Sequence, residues 1–324
     1  MERNIIPVSV IIPTLNRHSV LTKTVQSLCD GDCIPKQIII IDQTAIPIES
    51  SEFGSLYGTE IVIKHSNVAS SSHARNVGII ESSEEILLFC DDDILINKET
   101  LFRLYTEMSK PQVGLVAAIH YQDNLFFENR KTNILKELGG TILGMKKFWR
   151  KDGYVIKSNM RGRYSYSIKT ITNTEWAMGY FFCIKKSILS SLDHYFDEHL
   201  IRYAYAEDLD LTYRYCVEAK KQGFQTVVDP ELYVNHLASK EWRVPKQEEV
   251  NYVFINRRYL SCKNFPKKRH YRLAIFLFDY LFLLSHLKDK IYTREIINAL
   301  KICRRNRDKI KSGNINLINE GELK

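Results

Sequence analysis

The chain has 324 residues, 44% of them hydrophobic, which is enough to bury one large core or two of ordinary size. It carries a net charge of +8 and seven cysteines with no CxxC pair. These values argue against a disordered chain, a disulfide framework and a zinc ribbon, and they favour a reducing cytoplasm. Residues 1–4 lack the basic start and apolar stretch of a signal peptide, so we expect a protein that is not secreted.

Short apolar runs alternate with helix-like stretches along the first half of the chain. Runs that indicate strands occupy residues 8–13, 37–42, 60–64, 85–90 and 113–119, and a helix with apolar residues at helical spacing begins at Ser19. Near-continuous Ile and Val runs without polar alternation are typical of strands buried on both faces. The pattern therefore predicts an α/β fold, with a Rossmann-like, mostly parallel sheet flanked by helices.

Polar residues follow three of these strands. Pro13, Thr14, Asn16 and Arg17 follow the first, Asp42 ends the second, and Asp91, Asp92 and Asp93 follow the fourth. Because parallel sheets bind ligands at the carboxyl ends of their strands, we expect these residues to share one site.

The three consecutive aspartates, Asp91 to Asp93, are the strongest of these signals. Carboxylates beside a buried strand are costly unless a positive charge neutralises them, and Mn²⁺ or Mg²⁺ would do so with oxygen ligands. Alternation along an extended chain sends Asp91 and Asp93 to one side and Asp92 to the other. The alternative is an acidic turn in which one aspartate caps a helix that begins near Asn97.

Several short motifs occur in a definite order. They are residues 8–17 (VSVIIPTLNR), 38–42 (IIIID), 72–78 (SHARNVG), the aspartate triplet, 176–179 (WAMG) and 207–214 (EDLDLTYR). Together they resemble, over residues 7–240, the family 2 glycosyltransferases, which have the GT-A fold, invert the anomeric centre and use nucleoside-diphosphate sugars. The resemblance implies a GT-A domain at 1–240, with a nucleotide-sugar half at 1–119, an insertion at 120–175 and an acceptor half at 176–240.

The resemblance also implies which residues bind the donor. These are Pro13, Thr14, Asn16, Arg17, Asp42, Arg75, Asp91 and Asp92. Asp42 would accept hydrogen bonds from the base or ribose, and Arg75 would bind a phosphate or a carboxylate of the triplet. The alternatives are a turn residue for Asp42 and an ordinary surface arginine for Arg75. A UDP-sugar is the expected donor, although Gln43 and Thr44 replace the Gly-Ser that usually follows the second acid.

The implied metal ligands are Asp93, Asp91 and His236. Asp93 is the first choice for direct contact with Mn²⁺ or Mg²⁺, Asp91 would be shared between metal and ribose, and His236 follows a strand at residues 225–229. The alternative for His236 is an ordinary core or surface histidine.

The acceptor side is implied at Glu207, Asp208, Trp176 and Gly179. Inverting transfer needs a carboxylate that takes the proton of the attacking hydroxyl, and Asp208 is the better candidate, with Glu207 orienting the acceptor. Asp210 should point elsewhere. Trp176 would offer an apolar platform to a sugar ring. The alternatives are acids of a first helical turn and a core tryptophan.

Two basic segments fall outside the sheet. Residues 145–170 mix basic with aromatic side chains, which suits an acceptor loop or lid for a phosphorylated lipid carrier or an anionic polysaccharide, or else a solvated loop. Residues 257–324 hold 17 basic and 6 acidic residues, a local charge of +11 in the helical extension expected at 241–324. Within it, residues 273–287 are too short to span a bilayer and predict either a core helix or a helix on the membrane surface.

These features predict a metal-dependent glycosyltransferase of hexosyltransferase type, at the inner face of the membrane, in bacterial cell-surface polysaccharide biosynthesis. The acceptor would be a hydroxyl of a saccharide or a lipid-linked molecule, and no nucleic acid is expected. A sugar nucleotidyltransferase is the first alternative, but residues 13–16 contain no glycine. A non-catalytic membrane- or nucleic-acid-binding module would leave the acids without a role. A dehydrogenase is disfavoured because no GxGxxG follows a strand.

Overall fold

The computed structural model describes residues 3–119, 153–157, 159–164, 168–202, 204–237, 245–266, 271–316 and 318. Most of the predicted basic and aromatic insertion therefore lies outside the described residues. The strands are β1 (Asn4–Thr14), β2 (Cys33–Asp42), β3 (Glu60–His65), β4 (Ile86–Cys90), β5 (Ile94–Ile96), β6 (Val113–Ala118), β7 (Tyr154–Ile156), β8 (Arg161–Arg163), β9 (Thr172–Asn173), β10 (Phe181–Lys185), β11 (Gln225–Asp229) and β12 (Val234–His236).

The helices are α1 (His18–Cys29), α2 (Ser71–Glu81), α3 (Thr100–Met108), α4 (Lys186–Leu189), α5 (Glu207–Lys221), α6 (Lys246–Asn264), α7 (Tyr271–Ser285), α8 (Lys290–Arg305) and α9 (Arg307–Lys311). A 3₁₀ helix covers Ser50–Phe53. The five strand runs and the helix at Ser19 that the sequence predicts are all present, with shifted ends. Four of the helices, α6 to α9, form the C-terminal extension.

Eight strands form the central sheet in the order β3-β2-β1-β4-β10-β6-β11-β9. The pairs β1–β2, β1–β4, β2–β3 and β6–β11 are parallel, whereas β10 runs antiparallel to both β4 and β6. The predicted α/β class, a mostly parallel sheet flanked by helices, is confirmed. The antiparallel β10 brings its first residue beside the carboxyl end of β4, where the aspartate triplet begins.

Both faces of the sheet are buried, as the unbroken Ile runs predict. Ile39 and Ile41 of β2 belong to one core cluster, and Ile38 and Ile40 belong to the cluster on the opposite face. All four are 0% exposed. This period of two follows from the alternation of side chains along a strand.

The C-terminal helices are tied to α5 by a buried polar network. Lys263 of α6 donates to Asp197 and to Asp210, and Asn264 donates to Asp210. Burial would raise the pKa of Asp210, but the charges of Arg214 and Lys263 and the hydrogen bond from Asn264 lower it. Asp210 thus points away from the predicted site, as expected. His194, Asp197 and Asp210 lie close enough to hold a cation, but Lys263 and Arg214 already form ion pairs with the two carboxylates.

Helix α7 is neither a core helix nor an isolated surface helix. Phe276 and Tyr280 are 63% and 53% exposed, whereas Asp279 is 7% exposed and forms an ion pair with Arg258 of α6. One side of α7 therefore packs on the other C-terminal helices and the opposite side presents apolar residues to solvent. Among the described residues, no helix has the length and apolar character needed to cross a membrane.

Candidate active site

Asp91, Asp93 and His236 meet at the carboxyl edge of the sheet. Their ligand atoms all lie within 4.8 Å of one another, and Nε2 of His236 is 2.9 Å from Oδ1 of Asp93. Two carboxylates and one imidazole form a donor set that suits Mn²⁺ well and that Mg²⁺ shares through its oxygens. The residues present therefore fit a divalent cation.

Backbone pairing positions His236 against the triplet. Strand β12 pairs antiparallel with β5, so that His236 lies opposite Ile94, and the N–H of Leu237 donates to the carbonyl of Asp93 at 2.8 Å. The ring of Tyr180 stacks on the imidazole with centroids 5.4 Å apart. Tyr180 was not a candidate from sequence, although its place after Gly179 at the start of an apolar strand was a usable signal.

The carboxylate of Asp92 is held by the last residue of β1 and by the loop that follows it. Thr14 donates to its Oδ2 at 2.8 Å, and Arg17 lies 2.9 Å from its Oδ1. Burial raises the pKa of Asp92 to about 6, although Arg17 and Thr14 oppose the rise. Thr24 of α1 donates to the backbone carbonyls of Asp92 and Ile94, a contact that sequence reasoning missed.

The loop after β1 turns through Asn16, whose φ of 56° lies in the left-handed region. Asparagine tolerates this conformation better than most side chains, which explains its use here. Pro13 pairs with Ile41 across β1 and β2, one pair before the ladder ends at Thr14 and Asp42. The loop thus brings Arg17 within 3.5 Å of Asp93 as well.

Asp42 is 0% exposed and does not present its carboxylate to the site. Its Oδ1 accepts from the N–H and hydroxyl of Thr44, and its Oδ2 accepts from the N–H of Ile48. The expected direct contact with a base or ribose is therefore corrected, because both oxygens already hold the loop at residues 43–48. This is the turn role that the sequence left open as the alternative.

Arg75 joins Asp91 of the aspartate triplet to Glu207 at the start of α5. It is 3% exposed, and its guanidinium donates to Glu207, to Oδ1 of Asp91 at 2.8 Å and to the carbonyl of Gly179 at 3.3 Å. Burial alone would lower the pKa of Arg75, but the charges of Glu207 and Asp91 outweigh it and raise the pKa. The surface-arginine alternative is thus excluded.

Glu207 and Asp208 open α5 after Ala206, whose φ of 68° turns the chain sharply. Glu207 is 8% exposed and committed to Arg75, and burial raises its pKa to about 7. Asp208 is partly exposed and accepts from the N–H groups of Gly179 and Leu209, both at 2.7 Å. Burial also raises the pKa of Asp208. The more exposed carboxylate of the pair is therefore Asp208.

Trp176 is a packed residue and not an open platform. It is 8% exposed, its ring stacks on Tyr164 with centroids 4.7 Å apart, and a Cβ on Gly162 would lie 2.4 Å from the ring. The expected sugar platform is therefore corrected, because this ring is covered. Its indole N–H donates to the carbonyl of Arg163, so Trp176 anchors β8 beside the acceptor side.

The central sheet and the acids at its carboxyl edge define the GT-A fold of glycosyltransferases. The chain belongs to glycosyl transferase family 2, whose sequence profile matches residues 9–171.

Curated relatives share limited segments with the chain. It is 31% identical over 100 residues to the poly(ribitol-phosphate) beta-N-acetylglucosaminyltransferase TarS of Staphylococcus aureus, covering 29% of this chain and 17% of TarS. It is 30% identical over 110 residues to the pre-mycofactocin glycosyltransferase of Mycobacterium tuberculosis, covering 34% and 23%. The matched segments thus span less than a quarter of these two relatives.

Solved structures match over most of the chain. A TarS fragment in complex with UDP-GlcNAc has a TM-score of 0.54 at 17% identity, covering 97% of this chain and 90% of that one. The mannosyltransferase PcManGT of Pyrobaculum calidifontis, in complex with GDP-Man and Mn²⁺, has a TM-score of 0.50 at 14% identity, covering 92% and 75%. At these identities the matches establish the shared fold.

Proposed function

We propose that the protein is an inverting, metal-dependent glycosyltransferase that moves a sugar from a nucleoside-diphosphate sugar to an acceptor hydroxyl. The observation that carries the proposal is the bridge made by Arg75. It binds Asp91 on the metal side and Glu207, next to Asp208, on the base side. A purely structural role for Arg75 would not require carboxylates from both Asp91 and Glu207 around its buried guanidinium, at the edge of the sheet where ligands bind.

On the donor side, Thr14 and Arg17 would hold the nucleotide together with Pro13, Asn16 and the loop that Asp42 shapes. Arg17 is well placed for a diphosphate because its guanidinium already lies between Asp92 and Asp93. A UDP-sugar remains the proposed donor, and the TarS fragment that shares the fold binds UDP-GlcNAc. Arg75 would keep Asp91 oriented towards the ribose and the diphosphate.

Asp91, Asp93 and His236 would hold Mn²⁺ or Mg²⁺, which supplies positive charge to a leaving diphosphate. The residues around this trio prepare the site. Tyr180 supports the imidazole, Thr24 fixes the backbone beside Asp92, and Arg75 neutralises part of the carboxylate charge. Such preorganisation lets the site receive a polyanionic donor without rearrangement.

Asp208 would act as the general base. Its raised pKa makes it a stronger proton acceptor than an ordinary aspartate, and the N–H of Gly179 holds Oδ2 in place. The acceptor hydroxyl would give its proton to Asp208 while its oxygen attacks the anomeric carbon and the bond from that carbon to the diphosphate breaks. Glu207 would bind the acceptor through Oε2, a buried oxygen without a hydrogen-bond partner among the described residues.

The acceptor would carry negative charge. Arg161 and Arg257 form no ion pair within the described part of the chain. Burial and the charges of Arg163 and Arg257 lower the pKa of Arg161 to about 10. This cationic group is linked to the base side through Gly162, which packs on Trp176. We propose a saccharide or lipid-linked acceptor with phosphate groups, used in bacterial cell-surface polysaccharide assembly at the inner face of the membrane. Peripheral contact through α6 to α9 is part of the proposal.

A donor panel tests the proposed reaction. The protein would be incubated with nucleotide sugars, with Mn²⁺ or with EDTA, and the released nucleotide would be measured. Metal-dependent release of nucleoside diphosphate is expected, whereas release of pyrophosphate would favour a nucleotidyltransferase. A protein that neither turns over nor is stabilised by any donor in thermal shift would contradict the proposal.

A further inference from the structure

The C-terminal helices enclose a cavity of about 590 Å³ that the site at the sheet edge does not use. It lies between α6, α7, α8 and α9. Its walls are mostly apolar and include Ile275, Leu283, Leu300, Cys303 and Ile310. This volume is within the range of sites that bind small organic ligands. A chain of methylene groups is the chemistry that such walls favour.

The cavity opens on an apolar stripe of α7. Phe276 and Tyr280 line the cavity and are 63% and 53% exposed. Leu284 continues the stripe one helical turn further and is 43% exposed, and Leu287 beyond the helix is 55% exposed. On the side of α7, the mouth of the cavity is therefore bordered by exposed apolar surface.

Cations dominate the polar part of the lining. Arg258, Arg304, Arg307 and Lys311 line the cavity, whereas Asp279 is the one acid among its lining residues and is paired with Arg258. Arg304, Arg307 and Lys311 are exposed at their positions on α8 and α9. The lining thus combines an apolar interior with a surplus of exposed positive charge.

We propose that this cavity holds one acyl chain of an anionic membrane phospholipid, whose phosphate binds Arg304, Arg307 and Lys311. Charge complementarity selects an anionic headgroup, and the apolar stripe of α7 would lie on the same lipid surface. The inference deepens the proposed membrane contact and does not depend on the transfer reaction. A second copy of the chain is a poorer occupant, because it would bring a further surplus of positive charge.

Binding of a single-chain phospholipid tests the cavity directly. Lysophosphatidylglycerol, below the concentration at which it forms micelles, would be titrated into the full chain and detected by native mass spectrometry and calorimetry. We expect one bound molecule. Glycerol 3-phosphate, which lacks the chain, and lysophosphatidylcholine, which lacks the net charge, should both bind about tenfold more weakly or not at all.

Two double variants with equal charge change provide a matched comparison. Arg304→Glu with Arg307→Glu alters the lining, whereas Arg305→Glu with Lys309→Glu alters exposed neighbours that do not line the cavity. The first pair should weaken lysophosphatidylglycerol binding about tenfold, and the second by less than about twofold. Leu300→Trp, which fills the cavity, should also abolish binding while thermal melting shows that it stays folded.

Equal weakening by the two double variants would overturn the proposal, as would equally tight binding of lysophosphatidylcholine or glycerol 3-phosphate. Conversion of the protein to a dimer that Leu300→Trp disrupts would show that a second copy occupies the cavity. Flotation with vesicles of phosphatidylcholine containing phosphatidylglycerol tests membrane contact separately from lipid binding in the cavity. Flotation that persists with no lysolipid binding would remove the cavity site and keep the membrane contact. Release of nucleoside diphosphate without lipid should be unchanged by either double variant.

Discussion

The backbone N–H of Gly179 donates to Oδ2 of Asp208 at 2.7 Å, and the Cα of Gly179 has almost no free space on the side of that carboxylate. A Cβ at this position would lie 3.0 Å from the Cβ of Asp208 and 3.1 Å from its Oδ2. The absence of a side chain at Gly179 therefore sets where the proposed base sits. The backbone of Gly179 is not in the left-handed region, so the constraint comes from contact with Asp208.

Gly179→Ala should lower the transfer rate by about a hundredfold, because the new methyl group displaces Asp208 by a few tenths of an ångström or more. Donor binding should be unchanged, since Asp91, Asp93 and Arg17 are not displaced directly. The measurement is kcat for transfer alongside the Kd of the donor. Gly223→Ala is the control, because φ at Gly223 is +86° and the substitution strains a turn far from the site. It should cost about 1 kcal/mol of stability with no change in kcat.

Asp93→Ala should abolish metal-dependent turnover while the protein stays folded. Arg17 keeps Asp92 as its partner at 2.9 Å, so the substitution leaves no buried cation unpaired and the melting temperature should not fall sharply. His236→Ala should weaken Mn²⁺ binding by about tenfold or more, measured by calorimetry. His65→Ala provides a matched control, because His65 is an exposed histidine at the end of β3. Full activity in Asp93→Ala would contradict the proposal that Asp93 binds the metal.

Asp208→Asn should retain donor binding and lower the transfer rate by about 10²- to 10⁴-fold, because an amide does not accept a proton at neutral pH. Glu207→Gln should differ. It removes one of the two charged partners of Arg75 and leaves only Asp91, so both donor affinity and transfer should fall. Rapid-quench measurement of transfer, with donor Kd by thermal shift, separates the two variants. Unimpaired transfer in Asp208→Asn would exclude Asp208 as the base.

Asp279 should make stability depend on pH in an unusual direction. Burial raises its pKa from 3.8 to about 6, although Arg258 and Arg257 oppose the rise. Because the folded state holds this proton more tightly than the unfolded chain, the stability it contributes is complete below about pH 4 and is lost as pH rises through about 6. Its neighbours from α6 are these two arginines, and from α8 it faces Cys303 and Arg304 around the cavity.

Urea unfolding between these pH values, compared with Asp279→Asn, measures this contribution. The difference in the free energy of unfolding between the two proteins should shift by up to about 1 kcal/mol per pH unit. Asp308→Asn is the control, because the side chain of Asp308 is 95% exposed and solvent screens its charge. A difference between wild type and Asp279→Asn that is constant with pH would contradict the prediction.

The strands of the central sheet could be predicted because buried Ile and Val runs have few alternatives to a two-sided sheet. The proximity of Asp91 and Asp93 also follows from local alternation. The position of His236 could not be predicted from pattern, because it depends on pairing between two strands of three residues each, β5 and β12. Such short strands carry too few residues to show a period.

The roles of Asp42 and Trp176 depend on packing that no local pattern reveals. The carboxylate of Asp42 accepts hydrogen bonds from the N–H groups of Thr44 and Ile48, and these bonds depend on where the two residues lie after the turn. Trp176 is covered by the ring of Tyr164, which directly follows β8 and lies twelve residues earlier in the chain. The motif around each residue predicts its position in the chain near the site, but it does not predict which of its atoms are already in contact with other parts of the protein.

The antiparallel strand β10 lies between β4 and β6, which both precede it by more than sixty residues. The amino-terminal strands thus enclose a strand contributed by the later part of the chain. Neither part completes a continuous sheet by itself, so a fragment ending at residue 119 would leave the edges of β4 and β6 without their shared partner. The proposed nucleotide and acceptor sides therefore share one sheet. We expect that they cannot be exchanged as modules by cutting the chain between them, and that grafting a new acceptor specificity would have to keep β10.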